Sequence, residues 1–241
     1  MKIDMHYHLS READTIPAGA APLGCIISRH PTENERCFRF ATRKHRAVAL
    51  FADPSLQDWQ RTLFLVKKRK ALSYNHFENV GAASISFFDP IFLASEEQGI
   101  PVIVHLSRHD DERLARAEAS KFLNRICTRF PRLQVIVAHL GGENFWTVLE
   151  YAAASESILL DTSCFQETAD RAELPCVDSM FRWMSAAISS RQILFGSDHT
   201  LSKDTQSTVD SHSFRRVFSE PELEDIFQNN GNRILRQMTL V

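Results

Sequence analysis

His6 and His8 form a His-x-His pair inside the opening stretch Ile3-Asp4-Met5-His6-Tyr7-His8-Leu9. Side chains of an extended strand alternate faces, so residues two apart leave on the same side. Two neutral imidazoles on one face make half a coordination shell for zinc, iron, manganese or nickel, and they need partners from elsewhere. Alone, the pair reads equally well as two ordinary histidines near a terminus. Further along, Pro-Val-Ile-Val runs into His105, Gln-Val-Ile-Val-Ala into His139, and Ile-Leu-Phe-Gly-Ser into Asp198. Each of these polar residues closes an apolar run. Four histidines and an aspartate brought to one place would hold a divalent ion with an open position for water and lower that water's pKa towards roughly 7.

The elements that must position these residues follow from the same runs. Short apolar, β-branched stretches recur at Ile3 to Leu9, Gly24 to Ser28, Ala47 to Phe51, Ala71 to Tyr74, Val102 to Leu106, Leu133 to Leu140, Ile158 to Thr162 and Ile193 to Gly196. Fully apolar cores such as Val102-Ile103-Val104 read as strands of a parallel sheet covered on both faces. Helical stretches lie between them. Ser55, with Asp58, is placed to cap a helix reaching Lys68, Asp89-Pro90 precedes a helix stopping at Gly99, and Asp110 to Arg129 is amphipathic through Leu114, Ala117, Phe122 and Ile126. Residues 10–23 read as a loop, and residues 29–46 contain only a short helical candidate. Eight strand-helix units in one chain favour a closed (β/α)8 barrel, slightly compressed and spanning residues 1–241 as a single domain. In such a barrel the C-terminal strand ends share one mouth. Unpartnered buried polar groups cost several kcal/mol there, so a bound metal explains the convergence better than core packing does.

Bulk composition narrows the classes. The 241 residues carry a formal net charge of −2, with 44% hydrophobic and 24% charged residues, as ordinary globular proteins do. No basic field argues for nucleic acid, and Lys67-Lys68-Arg69-Lys70 is a short run at a helix end. Five widely spaced cysteines without a Cys-x-x-Cys pair fit free thiols in a reducing, cytoplasmic setting. No apolar stretch suggests a signal segment or a membrane span. The partner expected is a small-molecule substrate, and a homo-oligomer is compatible with all of this.

Asp-x-His-x-His, Val-Ile-Val-His-Leu-Ser, Val-Ile-Val-Ala-His-Leu-Gly-Gly and Leu-Phe-Gly-Ser-Asp-His together resemble the amidohydrolase superfamily. More narrowly, they are similar to the amidohydrolase-related branch that includes aminocarboxymuconate-semialdehyde decarboxylase and pyrone-dicarboxylate lactonase. Residues 226–235 also resemble the final helix of that branch. The resemblance implies His6, His8, His105 and Asp198 as metal ligands, with zinc ahead of manganese or iron. It implies His139 as catalytic acid or base, or as ligand of a second metal, and Asp198 as a group that could take the water's proton while touching the metal. No lysine stands at the end of the fourth strand to supply the carbamylated bridge of two-metal members, so one metal per chain is expected. A deoxyribonuclease branch sharing the opening pair usually has glutamate on the fourth strand and Glu-Thr-Asp on the last, where this chain has Tyr74-Asn75-His76 and Gly196-Ser197-Asp198.

Around the mouth, Arg29, Asn75 and His76 are the substrate-binding candidates, with Ser107 and Arg108 after the fifth strand and Ser163 after the seventh; an arginine there would hold a carboxylate. Asp4 reads as a strand residue paired with backbone or a basic group, or as support for the ligands. The activity expected is hydrolysis of an amide, ester or lactone by a metal-activated water. Non-oxidative decarboxylation or hydration of a small carboxylic acid is the alternative within enzymes, and a barrel that binds without turnover is the alternative outside them.

Overall fold

The computed structural model describes residues 2–10, 23–44, 47–53, 59–69, 71–76, 86–106, 112–201 and 212–238. The expected cap at Ser55, the loop over residues 11–22 and the rim positions Ser107 and Arg108 lie outside them. The strands are β1 (Asp4–Leu9), β2 (Gly24–Ile27), β3 (Ala47–Phe51), β4 (Leu72–His76), β5 (Val102–His105), β6 (Val135–Val137), β7 (Ile158–Asp161), β8 (Ile193–Leu194) and β9 (His199–Leu201). Every pairing is parallel, in the order β8-β7-β6-β5-β4-β3-β2-β1-β9.

The last two strands are parts of one interrupted strand. The Met5 amide donates to the Phe195 carbonyl (2.8 Å), the Asp198 amide to the His6 carbonyl (2.8 Å), and Tyr7 pairs with His199. These bonds bring the eighth strand against β1, and the sheet curls into a (β/α)8 barrel.

Alternation along the strands divides the apolar residues into an inner and an outer set. Cys25, Ile27, Ala47, Ala49, Leu72, Tyr74, Ile103, Ile136, Leu159 and Leu194 share one buried cluster inside the barrel. Val102, Val104, Val135, Val137, Ile158, Leu160 and Ile193 pack outward against helices. β1 breaks the rule. Its pairing passes from Asp4↔Gly24 to Tyr7↔Ile26, so it carries one extra residue. Such a bulge re-aims side chains. Met5 joins the inner cluster, its neighbour His6 sits 5.9 Å, ring to ring, from inward-facing Tyr74, and Tyr7 joins an outer cluster with Phe40 and Leu50.

The helices are α1 (Asn34–Lys44), α2 (Trp59–Arg69), α3 (Asp89–Gln98), α4 (Glu112–Arg129), α5 (Phe145–Ala154), α6 (Phe165–Arg171), α7 (Val177–Ala187), α8 (His212–Val217), α9 (Glu220–Glu224) and α10 (Asn230–Gln237). α1 is fuller than the short candidate expected between β2 and β3. Cys37, Phe40 and Ala41, at spacings of three and four, supply its buried stripe among charged residues. α3 ends as predicted at left-handed Gly99. Its cap position is Phe88 with no side-chain bond, because the Asp89 carboxylate instead meets Arg125 (2.7 Å) and Arg129 (3.0 Å) of α4. α4 buries Ala119, Phe122, Leu123 and Ile126 while Ala117 faces solvent. Trp146 and Trp183 stack edge to face 5.7 Å apart between α5 and α7, with Trp183 largely exposed.

α10 closes the bottom of the barrel. Ile234 and Met238 join the inner cluster, and the Asn230 amide donates to the carbonyls of Ser190 (2.8 Å) and Ile193 (2.7 Å). Among the described residues no helix is long and apolar enough to cross a membrane. All five cysteines are free thiols.

Candidate metal centre

At the opposite end of the barrel His6, His8, His105, His139 and Asp198 converge, together with Asp161 of β7. His6 is fully buried. Its Nδ1 donates to Asp161 Oδ2 at 2.5 Å, which leaves Nε2 directed towards Asp198 Oδ1, 3.5 Å away. His8 Nδ1 donates to the Ile27 carbonyl at 2.7 Å, and its Nε2 lies 2.7 Å from the same Asp198 oxygen. Both rings are therefore anchored from behind through Nδ1, with Nε2 turned inward, as metal-ligating histidines are when a carboxylate or carbonyl fixes their tautomer. Ligand atoms of His6, His8 and Asp198 lie within 4.8 Å of one another, a spacing one ion can span.

His105 comes to the same mouth one ring further on. It is packed edge to face 5.0 Å from His139 and lines the cavity there, outside the three-residue group. His139 sits in a tight turn after β6, where His139, Leu140, Gly141 and Gly142 all take positive φ. Its ring lies 4.8 Å from that of His6, and its Nδ1 is 2.8 Å from Ser163 Oγ. Ser163 donates in turn to Asp161 Oδ2 (2.8 Å), and its amide donates to Asp161 Oδ1 (2.9 Å). With His139 Nδ1–H given to Ser163, the lone pair of that ring is on Nε2. Cys164 donates from Sγ to Asp198 Oδ2 at 3.1 Å.

Among the described residues, three of the five non-glycine residues with positive φ lie at this mouth. His139, Cys164 and Asp198 all have positive φ (54°, 53° and 56°) and all line one cavity of about 140 Å³ with His105, Gly142, Glu167, Thr168 and Arg171. A non-glycine residue held there costs of order 1–3 kcal/mol, and such residues cluster at functional sites. Gly196 is dictated by the same crowding, since a Cβ there would stand 2.1 Å from Asp161 Oδ1 and 2.8 Å from His6 Cβ.

The electrostatics describe a site short of positive charge. Burial opposes ionisation of Asp161 and Asp198, yet both stay below the usual carboxylate range, Asp161 through the charge and hydrogen bond of His6 and Asp198 through the His8 hydrogen bond and the His6 charge. Complete burial opposes protonation of His6, yet Asp161, Asp198 and Asp4 raise it above its ordinary value. A proton on His6 thus supplies part of the cationic charge that a divalent ion would supply. Burial lowers His8, helped by the charges of His6 and Arg29. His139 is pushed down to about 3 by burial and then by His6 and His105, so it is neutral near pH 7. Burial and the neighbouring Asp198 push the Cys164 thiol up. Burial pushes Asp4 up to about 6 against its hydrogen bonds, the strongest from Ser197, and that pairing holds the eighth strand to β1.

The residues present fit a metal. His6 Nε2 is buried without a hydrogen-bond partner, facing a carboxylate and beside a second imidazole. A buried donor or acceptor left so costs about 1–3 kcal/mol, and coordination would remove the cost.

Of the substrate-binding candidates, Arg29 is exposed beyond β2, near enough for its charge to act on His8. His76 pairs through its backbone with His105, and its side chain lies outside the described residues. Asn75 does not reach the mouth. It alternates with inward-facing Tyr74 and spends its amide on Ser73 Oγ (2.9 Å) and the Ile103 carbonyl (3.0 Å). Asp161 and Cys164 went unread in the sequence. Asp161 closes the apolar run Ile158-Leu159-Leu160 in the way His105 and Asp198 close theirs, and that signal was available; nothing local marks Cys164.

The family model described as amidohydrolase matches residues 65–237. A comparison with the curated proteins finds no match. Among solved structures, the chain is similar to a dihydroorotase from Campylobacter jejuni (TM-score 0.68, 16% identity, 98% of this chain and 83% of that one). It is also similar to an amidohydrolase 2 from Bifidobacterium longum subsp. infantis (TM-score 0.62, 14% identity, 98% of each chain). A third is a 4-oxalomesaconate hydratase from Rhodopseudomonas palustris (TM-score 0.64, 12% identity, 99% of this chain and 96% of that one). At these identities the likeness is one of fold.

Proposed function

Because the chain belongs to the amidohydrolase family, we propose that it is a metal-dependent hydrolase acting on the amide, ester or lactone carbonyl of a small molecule. The observation that carries this reading is the unpartnered Nε2 of fully buried His6, set with His8 Nε2 around the Asp198 carboxylate. His6, His8 and Asp198 would hold the ion, with His105 reaching it from β5. Zinc suits this imidazole and carboxylate set best, ahead of manganese or iron. When bound, the metal supplies a Lewis acid and a source of hydroxide near neutral pH.

The chain's own groups do the rest. Asp161 and the Ile27 carbonyl fix the two β1 rings. His139, neutral and tied through Nδ1 to Ser163, takes the proton of the attacking water at Nε2 and returns it to the leaving group. Ser163 links that histidine to Asp161, so turning of the His139 ring is opposed at the moment of transfer. Arg29 puts positive charge at the rim, where an acidic substrate would be held.

Elemental mass spectrometry on protein purified without chelator or metal-binding tag tests this beside the His6→Ala/His8→Ala variant. Zinc bound to the wild type, with an equivalent lost from the variant, is the expected result; no metal even after reconstitution would overturn it. A panel of lactones, amides and small carboxylic acids then separates the chemistries. Hydrolysis supports the proposal, whereas carbon dioxide release without hydrolysis would move the reaction to decarboxylation.

A further inference from the structure

The geometry points to a docking face for a second copy of this chain on the outward side of α5 and α7, centred on Trp146 and Trp183, with a two-fold axis through that pair. The inference stands apart from the metal centre and does not rest on it.

Trp183 is 55% exposed, one of four large apolar side chains left largely in solvent among the described residues, and it meets Trp146 edge to face at 5.7 Å. Helix geometry fixes what surrounds the two rings. On α5, Trp146 turns towards α7, while Tyr151 turns towards α4, its hydroxyl donating to the Ser120 carbonyl at 3.1 Å. Glu150, one turn on from Trp146, lies between these directions and is exposed. On α7, Trp183 turns towards α5, while Asp178 turns towards α8 and accepts from Arg216 at 3.1 Å. Arg182, one turn on from Asp178, is exposed on the far side of Trp183 from α5. The tryptophan pair is therefore bracketed by an acid on the α5 side and a base on the α7 side.

That arrangement is complementary to itself. A two-fold rotation about an axis through the pair exchanges its sides, so Glu150 of one copy meets Arg182 of the other, and the contact forms twice. Among the described residues neither charge has an ion-pair partner in its own chain, although Arg171 of α6 and Arg215 and Arg216 of α8 all do. The exposed residues beside the pair are short: Ala153 and Ala154 on α5, and Ser185, Ala186 and Ala187 on α7. The indole rings stand above this low surface, so those of two copies can pack together before backbone meets backbone. Tryptophan and arginine are enriched among the residues that carry interface energy, and complementary charges fix the register. The occupant is a second copy rather than a strongly charged partner, because the two flanking charges are of opposite sign and the chain's net charge is only −2.

Sedimentation equilibrium over a micromolar concentration series tests the proposal, with a circular dichroism melt of each variant to follow its fold. The wild type should sediment at twice the mass of one chain. Trp183→Ala removes a side chain that lies mostly in solvent, and should weaken the dimer at least about thirtyfold without lowering Tm. Glu150→Arg and Arg182→Glu each bring like charges together twice, and each should sediment as a monomer. An equal mixture of these two proteins should form the dimer again, since each copy then offers the charge that the other lacks. The double variant Glu150→Arg/Arg182→Glu should form it alone. A wild type that stays monomeric at every concentration would overturn the proposal and leave the tryptophan pair to a different partner. A dimer indifferent to Trp183→Ala would overturn it by placing the contact on another face. Charge variants that dissociate but do not recover on mixing would overturn the two-fold arrangement.

Discussion

Asp161 holds His6 from behind with a 2.5 Å hydrogen bond while also receiving both the amide and the hydroxyl of Ser163. Its charge makes His6 more basic and its geometry fixes which nitrogen faces the centre, the two things an outer partner of a metal ligand contributes. Asp161→Asn retains the shape and removes the charge, and we expect metal affinity to fall about 10–100-fold, measured by competition with a chromophoric chelator. Unchanged affinity would mean that His6 is oriented by its packing alone. Gly196 tests the crowding at the same carboxylate. Cβ contacts of 2.1 Å to Asp161 Oδ1 and 2.8 Å to His6 Cβ cannot be relieved without moving the ligand itself. Gly196→Ala should therefore cost about 1–3 kcal/mol, read as a lower urea midpoint, and weaken metal binding in the same protein. A stable variant with normal metal content would contradict the placement of His6 against Asp161.

At the level of elements, the bulge in β1 decides which residues reach the centre. Strict alternation would have grouped Asp4 with His6 and His8, but the extra residue sends Met5 inward below His6 and leaves Asp4 to Ser197. The sequence carries the strands themselves plainly, because a buried parallel strand must be apolar throughout, and all eight runs correspond to strands. It carries the bulge, the break between β8 and β9 and the left-handed turns at His139, Cys164 and Asp198 poorly, because these are set by contacts between distant segments. Thus His105, His139 and Asp198 were legible as polar ends of apolar runs, whereas the thiol at Cys164 was not, and Asn75 was misplaced by one step of alternation. α10 offers a test of such a contact. Replacing Gly231 by alanine should gain up to about 1 kcal/mol from helix propensity. The new Cβ would, however, meet Ile3 Cγ2 at 2.7 Å and Ile3 Cβ at 3.0 Å, and overpacking costs about 1–3 kcal/mol. The contact outweighs the propensity, so Gly231→Ala should lower Tm in a thermal melt. A higher Tm would show that α10 can draw away from β1.

Across the whole molecule, the metal centre links the two ends of the chain. His6 and His8 come from β1, and Asp198 comes from the segment that closes the barrel against β1 through Met5–Phe195 and His6–Asp198 backbone bonds. An ion shared by these residues ties the closing strand to the opening one, and it binds only the folded chain, where the three come together. Its free energy is then folding free energy. At a hundredfold excess over Kd, one such site adds about 2.7 kcal/mol of stability, and for a domain of this size each kcal/mol moves Tm by roughly 2–4 °C. Stripping the metal with a chelator should therefore lower the wild-type Tm by roughly 5–10 °C, and added zinc should restore it. The His6→Ala/His8→Ala protein should show a much smaller response to either treatment, because the ligands from the opening strand are gone. If chelator leaves the wild-type Tm in place while elemental analysis shows the metal removed, the barrel is closed by its backbone bonds and inner cluster alone, and the ion is held by a frame already rigid without it.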